Sequence, residues 1–333
     1  MKISSSASFL LLLAALPAVP SATAQPQEAA ARKPYAMTNT EERLVKSSAG
    51  KEYRILISWP EGKPPAAGYP VTYVLDGDEL FPALTGILRI QAGTEKASTH
   101  NAIKPGLLVA VGYPGESGRN VDYTPKAPPG PPETYRDGRP YRTQESGGAD
   151  VFFDFLEKEL KPAIEKDYPV DRTRQSLLGN GYGGLFVLHA LFTRPEAFQT
   201  YIASSPSVWW NNRYILEEEK TFAERIAKSS IKALLVMSAG EMEQSLTRHE
   251  YSWEDEPREE HSAKVSRRRM VDNTREMSWR LEKLRAHGLD SVYKVFADES
   301  HKSVVPVALS HALPFVFPAT PAAAGEGGQK KGH

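Results

Sequence analysis

The stretch that most constrains this chain is Gln175-Ser-Leu-Leu-Gly179-Asn180-Gly181-Tyr182-Gly183-Gly184-Leu-Phe-Val-Leu-His189. The apolar run ending at Leu178 reads as the end of a buried strand. Leu185, Val187, Leu188, Ala190 and Leu191 then open a buried helix. Strand, sharp glycine turn, helix is the setting of a nucleophile elbow, G-x-S-x-G. Here the frame is Gly179-Asn180-Gly181-Tyr182-Gly183, so a glycine stands in the serine's place. An elbow strains its central residue into a backbone conformation that glycine tolerates better than any other residue. Gly181 therefore fits the turn but lacks the Oγ that would attack an acyl carbon. Taken alone, the stretch is also a plain Gly-rich link between strand and helix.

The flanking segments extend the pattern. Thr38–Ser47 and Glu52–Trp59 alternate like an antiparallel hairpin with Ala49-Gly50 at its turn. Val71–Leu75, Leu107–Val111, Phe198–Ala203, Ile231–Met237 and Val292–Phe296 read as further strands. Leu156–Tyr168 and a long segment from about Ala263 to His287 read as helices. Buried strands alternating with helices predict an α/β fold: a mostly parallel central sheet with helices on both faces. Sites in such sheets form at the carboxyl ends of the strands. Asp76-Gly77-Asp78, Gly181, Glu243 and His301 all follow predicted strand ends. A Pro/Gly/Tyr-rich insertion at 113–148 and a charged one at 244–262 are expected on the surface, over or beside that edge.

Lys2, the apolar run Phe9–Leu16 and Ala22-Thr23-Ala24 mark residues 1–24 as a cleavable signal peptide. The expected layout is that leader, a linker at 25–36, one folded domain at 37–318 and a disordered tail at 319–333. Export to a periplasm or the outside follows. No later stretch approaches eighteen consecutive apolar residues, so no membrane span is expected. Formal net charge is +0, which gives no reason to expect nucleic acid or an anionic membrane as partner. With no cysteine, disulfides, thiolate metal sites and a thiol nucleophile are excluded. No HExxH, His/Cys cluster, P-loop or dinucleotide fingerprint occurs, and neither a metal nor an organic cofactor is expected. Oligomeric state has no signature in the sequence.

Serine-type acyl transfer needs a nucleophile, a base, an orienting acid and an oxyanion hole. Position 181, Glu243 and His301 fall in the chain order nucleophile, acid, histidine, one of the orders such sites use. Glu243 is chosen as the acid, with Glu241, which is as close to the strand end, kept as the alternative. The oxyanion donors expected are the backbone N–H of Tyr182 and one from the loop after Val71–Leu75, with Asp78 chosen. Such donors act wherever charge develops on a tetrahedral intermediate.

Six segments together carry a family resemblance: Tyr73-Val-Leu-Asp-Gly-Asp78, Arg119-Asn-Val-Asp-Tyr-Thr-Pro125, Gly179-Asn-Gly-Tyr-Gly-Gly184, Ser205-Pro-Ser-Val-Trp-Trp-Asn211, Gly240-Glu-Met-Glu-Gln244 and Glu299-Ser-His301. In this order they resemble the putative-esterase branch of the α/β-hydrolases, which includes periplasmic siderophore esterases and esterase-D-like enzymes. The resemblance implies an α/β-hydrolase fold and a serine-type carboxylic ester hydrolase with His301 as general base. It also implies Arg119 as a substrate anchor near the acyl site. A small-molecule ester is the implied substrate, a ferric siderophore among the candidates. The departure is Gly181, where the family's serine stands, and it puts turnover rather than fold in question. Two functions stay open: an esterase scaffold inactive or strongly impaired with Gly181, and a non-catalytic binder of the same ester or siderophore. Trp209 and Trp210 either stack on an aromatic acyl group or close the core beneath the site. Tyr113, Tyr123, Tyr135 and Tyr141 either line a cleft mouth or lie on a solvated loop. Arg267-Arg-Arg269 either attracts an anion or is neutralised by Glu254, Asp255, Glu256, Glu259 and Glu260.

Overall fold

The computed structural model describes residues 34–92, 103–140, 145–246 and 258–318. The predicted leader, the tail, most of the linker, Tyr141, Glu254, Asp255 and Glu256 lie outside these residues. The chain divides into two units, Met1–Thr38 and Asn39–His333. Of the first, only residues 34–38 are described, and they form no helix or strand.

All strands and helices among the described residues belong to the second unit. The strands are β1 (Thr40–Lys46), β2 (Glu52–Ser58), β3 (Tyr69–Val74), β4 (Leu107–Gly112), β5 (Val170–Asn180), β6 (Thr200–Ser204), β7 (Ala233–Gly240) and β8 (Leu289–Phe296). They form one sheet in the order β1-β2-β4-β3-β5-β6-β7-β8. β1–β2 and β2–β4 pair antiparallel, and every other pair is parallel. The helices are α1 (Gly77–Ala92), α2 (Arg119–Asp122), α3 (Ala149–Phe155), α4 (Lys161–Asp167), α5 (Tyr182–Thr193), α6 (Trp210–Arg213), α7 (Ile215–Ile226), α8 (Arg258–Arg268), α9 (Met270–Glu282) and α10 (Val304–Val316).

The strand runs are apolar on both faces because both faces are covered. Alternation sends Tyr73, Leu177, Tyr201 and Leu235 into one layer and Val74, Leu178, Ile202 and Val236 into the other. Phe152 and Phe153 of α3, Leu185 and Leu188 of α5, Phe222 of α7 and Met277 of α9 close the first layer. Leu84 and Leu88 of α1 with Leu309 and Leu313 of α10 close the second. Buried strand ends thus fix where each following loop emerges.

Two helix expectations need correction. The helix predicted at Leu156–Tyr168 begins earlier, at Ala149, and passes through a π turn at Leu156–Leu160 before α4. The long helix predicted at 263–287 breaks at Arg269, whose φ of 46° is left-handed, and becomes α8 and α9. The apolar stripe starts only at Met270, and Asn273 Nδ2 donates to the Arg268 carbonyl across the break. Arg267 lies 3.6 Å from Glu260, one of the acids expected, whereas Arg268 pairs with Glu133 and Arg269 with Glu276, so the arginine run is neutralised only in part by the expected acids.

His189 of α5 is buried away from the sheet edge. Its Nδ1 lies 2.8 Å from Glu218 of α7, and its Nε2 lies 3.5 Å from Asp150 of α3, the outer limit of a hydrogen bond. Burial lowers the imidazole's pKa, but the Asp150 and Glu218 carboxylates outweigh burial and push it up to about 9 from 6.5. The stabilisation is fully present below pH 6.5 and is lost as pH rises through about 9. We expect unfolding free energy to fall by about 3 kcal/mol across that window from this group. Urea unfolding at several pH values checks it: His189→Gln should flatten the slope, and an unchanged slope rules the assignment out.

Candidate active site

Gly181 sits between β5 and α5 with φ 60° and ψ −115°. Its N–H donates to Ser204 O at 3.1 Å, and its carbonyl accepts from Ser207 N at 3.0 Å. The elbow glycines answer different needs. A Cβ on Gly179 would lie 2.4 Å from the Gly183 backbone, and one on Gly184 would lie 2.7 Å from Ser204 O. Those two positions need glycine for lack of room. A Cβ on Gly181 would instead stand 3.4 Å from His301 Nε2, 3.6 Å from its Cε1 and 3.8 Å from Arg119 Nη2. Space at 181 is ordinary, and only the backbone angle is demanding. Gly184→Ala should accordingly cost about 1–3 kcal/mol, because backbone must shift to admit the methyl group. A lowered urea midpoint with unchanged slope is the expected reading, and an unchanged midpoint counts against it.

His301 lies in the turn after β8, with its side chain 50% exposed. Its Nδ1 is 2.7 Å from Glu243 Oε2. Glu243 sits in a short 3₁₀ turn, Glu241–Gln244, after β7, and its side chain is fully buried. Its other oxygen, Oε1, accepts from Gly240 N at 2.6 Å and Ser205 Oγ at 2.5 Å. Glu241, two residues away, is exposed and accepts from Asp298 N at 3.1 Å. Of the two candidate acids, Glu243 is the one against His301. A carboxylate on Nδ1 favours the tautomer with its proton there, leaving the Nε2 lone pair toward residue 181.

Arg119, at the start of α2, donates through Nε and Nη2 to Asp76 at 2.8 and 3.1 Å. Its guanidinium carbon is 5.4 Å from the Tyr182 ring centre. Asp76 has φ 52°, and its N–H donates to Tyr123 Oη at 3.0 Å. Burial raises the Asp76 carboxyl above its usual range, and Arg119 offsets part of that rise. The Asp78 carboxylate turns away, accepting from Tyr113 N at 2.7 Å and Arg54 at 2.9 Å. Its backbone N–H belongs to the first turn of α1, and that of Tyr182 to the first turn of α5. Helices supply no internal acceptor there.

Beside Tyr182 lies a cleft of about 770 Å³, lined by Trp209, Trp210, Tyr135 and Arg268 among others. The Arg268 guanidinium lies 3.7 Å over the Trp209 ring, held by a two-point contact with Glu133 at 2.9 and 2.6 Å. Trp210 lines the cleft and also packs against the core. Tyr113 and Tyr123 do not line its mouth. Both are buried, because their hydroxyls meet the Asp122 carboxylate and the Asp76 N–H. Within the 113–148 insertion Tyr113 and residues 122–125 are thus core, whereas residues 114–117 are exposed as expected. Asp76 and Ser205 hold neighbouring groups in place, and no sequence pattern singled either out for that.

Residues 46–293 match the family described as Putative esterase. The chain belongs to that putative-esterase family. Ferri-bacillibactin esterase BesA of Bacillus subtilis is 39% identical to it over 289 residues, covering 85% of this chain and 91% of that protein. The siderophore triacetylfusarinine C esterase of Aspergillus fumigatus is 34% identical over 307 residues, covering 85% and 95%. Among solved structures, the BES protein from Bacillus cereus superposes with a TM-score of 0.70 at 35% identity, covering 86% of this chain and 99% of that one. Siderophore hydrolase EstA from Aspergillus nidulans gives 0.73 at 30% identity, covering 86% and 97%. This putative esterase falls in the siderophore-esterase branch, and its sheet has the α/β-hydrolase architecture expected from the strand and helix alternation.

Proposed function

We propose that this chain is an exported scaffold for hydrolysing siderophore-type carboxylic esters, with turnover absent or strongly impaired by Gly181. The observation that carries the reading is the open position above Gly181, 3.4 Å from a His301 nitrogen whose ring is fixed by Glu243. Residue 181 is the nucleophile position, His301 the general base and Glu243 the orienting acid. With a serine at 181, Nε2 would take the hydroxyl proton as Oγ attacks the ester carbon. It would then return the proton to the leaving alkoxide. The N–H groups of Tyr182 and Asp78 serve as oxyanion donors. Arg119 anchors an electron-rich acyl or chelating group, and Trp209 and Trp210 give it an aromatic wall. The relatives' siderophore esters support the substrate class. Export is supported by Lys2, Phe9–Leu16 and Ala22-Thr23-Ala24.

A second reading is capture of the same ester without turnover. It is favoured by a cleft whose wall is braced, with Arg268 clamped between Trp209 and Glu133, beside a site without a hydroxyl at 181. One experiment separates the readings. The chain and its Gly181→Ser variant are each given ferric catecholate and ferric hydroxamate esters, with products followed by chromatography and binding by tryptophan fluorescence. Hydrolysis by the serine variant supports the scaffold reading. Binding by both proteins with hydrolysis by neither supports capture.

A further inference from the structure

We propose that Ser205 is a positioning residue that locks the Glu243 carboxylate in the plane that meets His301; this rests on the reading of Glu243 and His301 as acid and base. Ser205 follows β6, is wholly buried and has φ 42° without being a glycine. L-residues with side chains rarely adopt that conformation, and it persists only where surroundings impose it. A glycine would hold the same backbone more easily. What serine adds is the hydroxyl.

That hydroxyl donates to Glu243 Oε1 at 2.5 Å, beside the Gly240 N–H at 2.6 Å. With Oε1 taken by two donors, Oε2 is the oxygen left for His301 Nδ1, at 2.7 Å. Ser205 N also donates to Ser238 O at 2.8 Å, which fixes the segment to the end of β7. On either side of Ser205, Ser204 O and Ser207 N hold the N–H and carbonyl of Gly181. The segment from Ser204 to Ser207 therefore grips the nucleophile position through backbone and the acid through one side chain. Ser205 does not replace the missing nucleophile, because it is buried with its proton committed to Glu243.

Ser205→Gly and Ser205→Ala test the inference, each in the chain with Gly181 and again with Gly181→Ser. In the first background the readout is the far-downfield proton resonance of His301 Nδ1–H on Glu243. It should broaden or vanish in both variants, while Ser205→Gly melts at an unchanged or higher temperature. In the serine background kcat should fall about 10- to 100-fold in both variants, with KM unchanged, the loss expected for one hydrogen bond to a charged group. An unaltered resonance in both variants overturns the inference, as does an unaltered kcat. So does a kcat loss confined to Ser205→Ala, which would assign the effect to backbone strain. Should Ser205→Gly not fold, Ser205→Ala decides by the same readouts. If Gly181→Ser proves inactive, the resonance still decides for Ser205 while the esterase reading falls separately.

Discussion

Gly181→Ser is expected to raise kcat on an activated aryl ester by about 10⁶-fold and to make the protein react with a fluorophosphonate. Two effects oppose each other. A serine at φ 60° costs roughly 1–3 kcal/mol of backbone strain. A nucleophile missing from a comparable triad is equivalent to about 8 kcal/mol of barrier. The chemical effect exceeds the strain severalfold. Sterics do not interfere, since the atoms nearest the new Cβ are His301 and Arg119 side-chain atoms at 3.4 Å or more. Mass spectrometry should find the phosphonyl adduct at position 181 of the variant alone, together with a modestly lowered urea midpoint. A folded serine variant that neither labels nor turns over any acyl ester would end the esterase reading. Strong hydrolysis with Gly181 in place would instead indicate water activated by His301.

In that serine background, Glu243→Gln should lower kcat by about 10⁴-fold, the scale seen when an orienting carboxylate becomes an amide and the wrong histidine tautomer results. The buried Glu243 has contacts to Gly240, Ser205 and His301, and its charge is what a histidine gaining a proton would face. Glu241→Gln should change kcat less than about threefold, because an exposed group bonded only to a loop N–H has little to lose. Steady-state kinetics on one aryl ester decides, and a larger loss for Glu241→Gln would reverse the assignment.

The elbow was readable because its parts are adjacent in sequence: an apolar strand end, clustered glycines and an apolar helix start. The parallel strands were readable for a similar reason, since burial on both faces leaves continuous apolar runs. The choice between Glu241 and Glu243 was not readable. Both lie in one 3₁₀ turn, and which carboxylate faces inward depends on how that turn leaves β7. Ser205 was harder still, since its role arises from a contact 38 residues away and a positive φ that no local pattern announces. Helix α10 is apolar nearly all round, which blurs the 3.6-residue stripe that identifies surface helices. Tyr113 looked like a loop aromatic because it stands between Gly112 and Pro114, and Tyr123 because it lies in the same Pro/Gly-rich insertion. Buried partners for their hydroxyls made them core residues.

The spacing of the elbow glycines also bears on how a protein of this kind can drift. Gly179 and Gly184 are held by contacts that no larger side chain can satisfy, and neither contact involves residue 181. The residue between them carries almost none of the packing, and glycine is the least strained occupant of its backbone angles. Exchange of serine for glycine there therefore relieves roughly 1–3 kcal/mol of backbone strain rather than disturbing the fold, and on the proposed esterase reading its cost falls on turnover alone. Purifying selection on a well-folded product would not remove it. A lineage could pass from cutting its ligand to carrying it, or back, by one substitution and with the cleft already built.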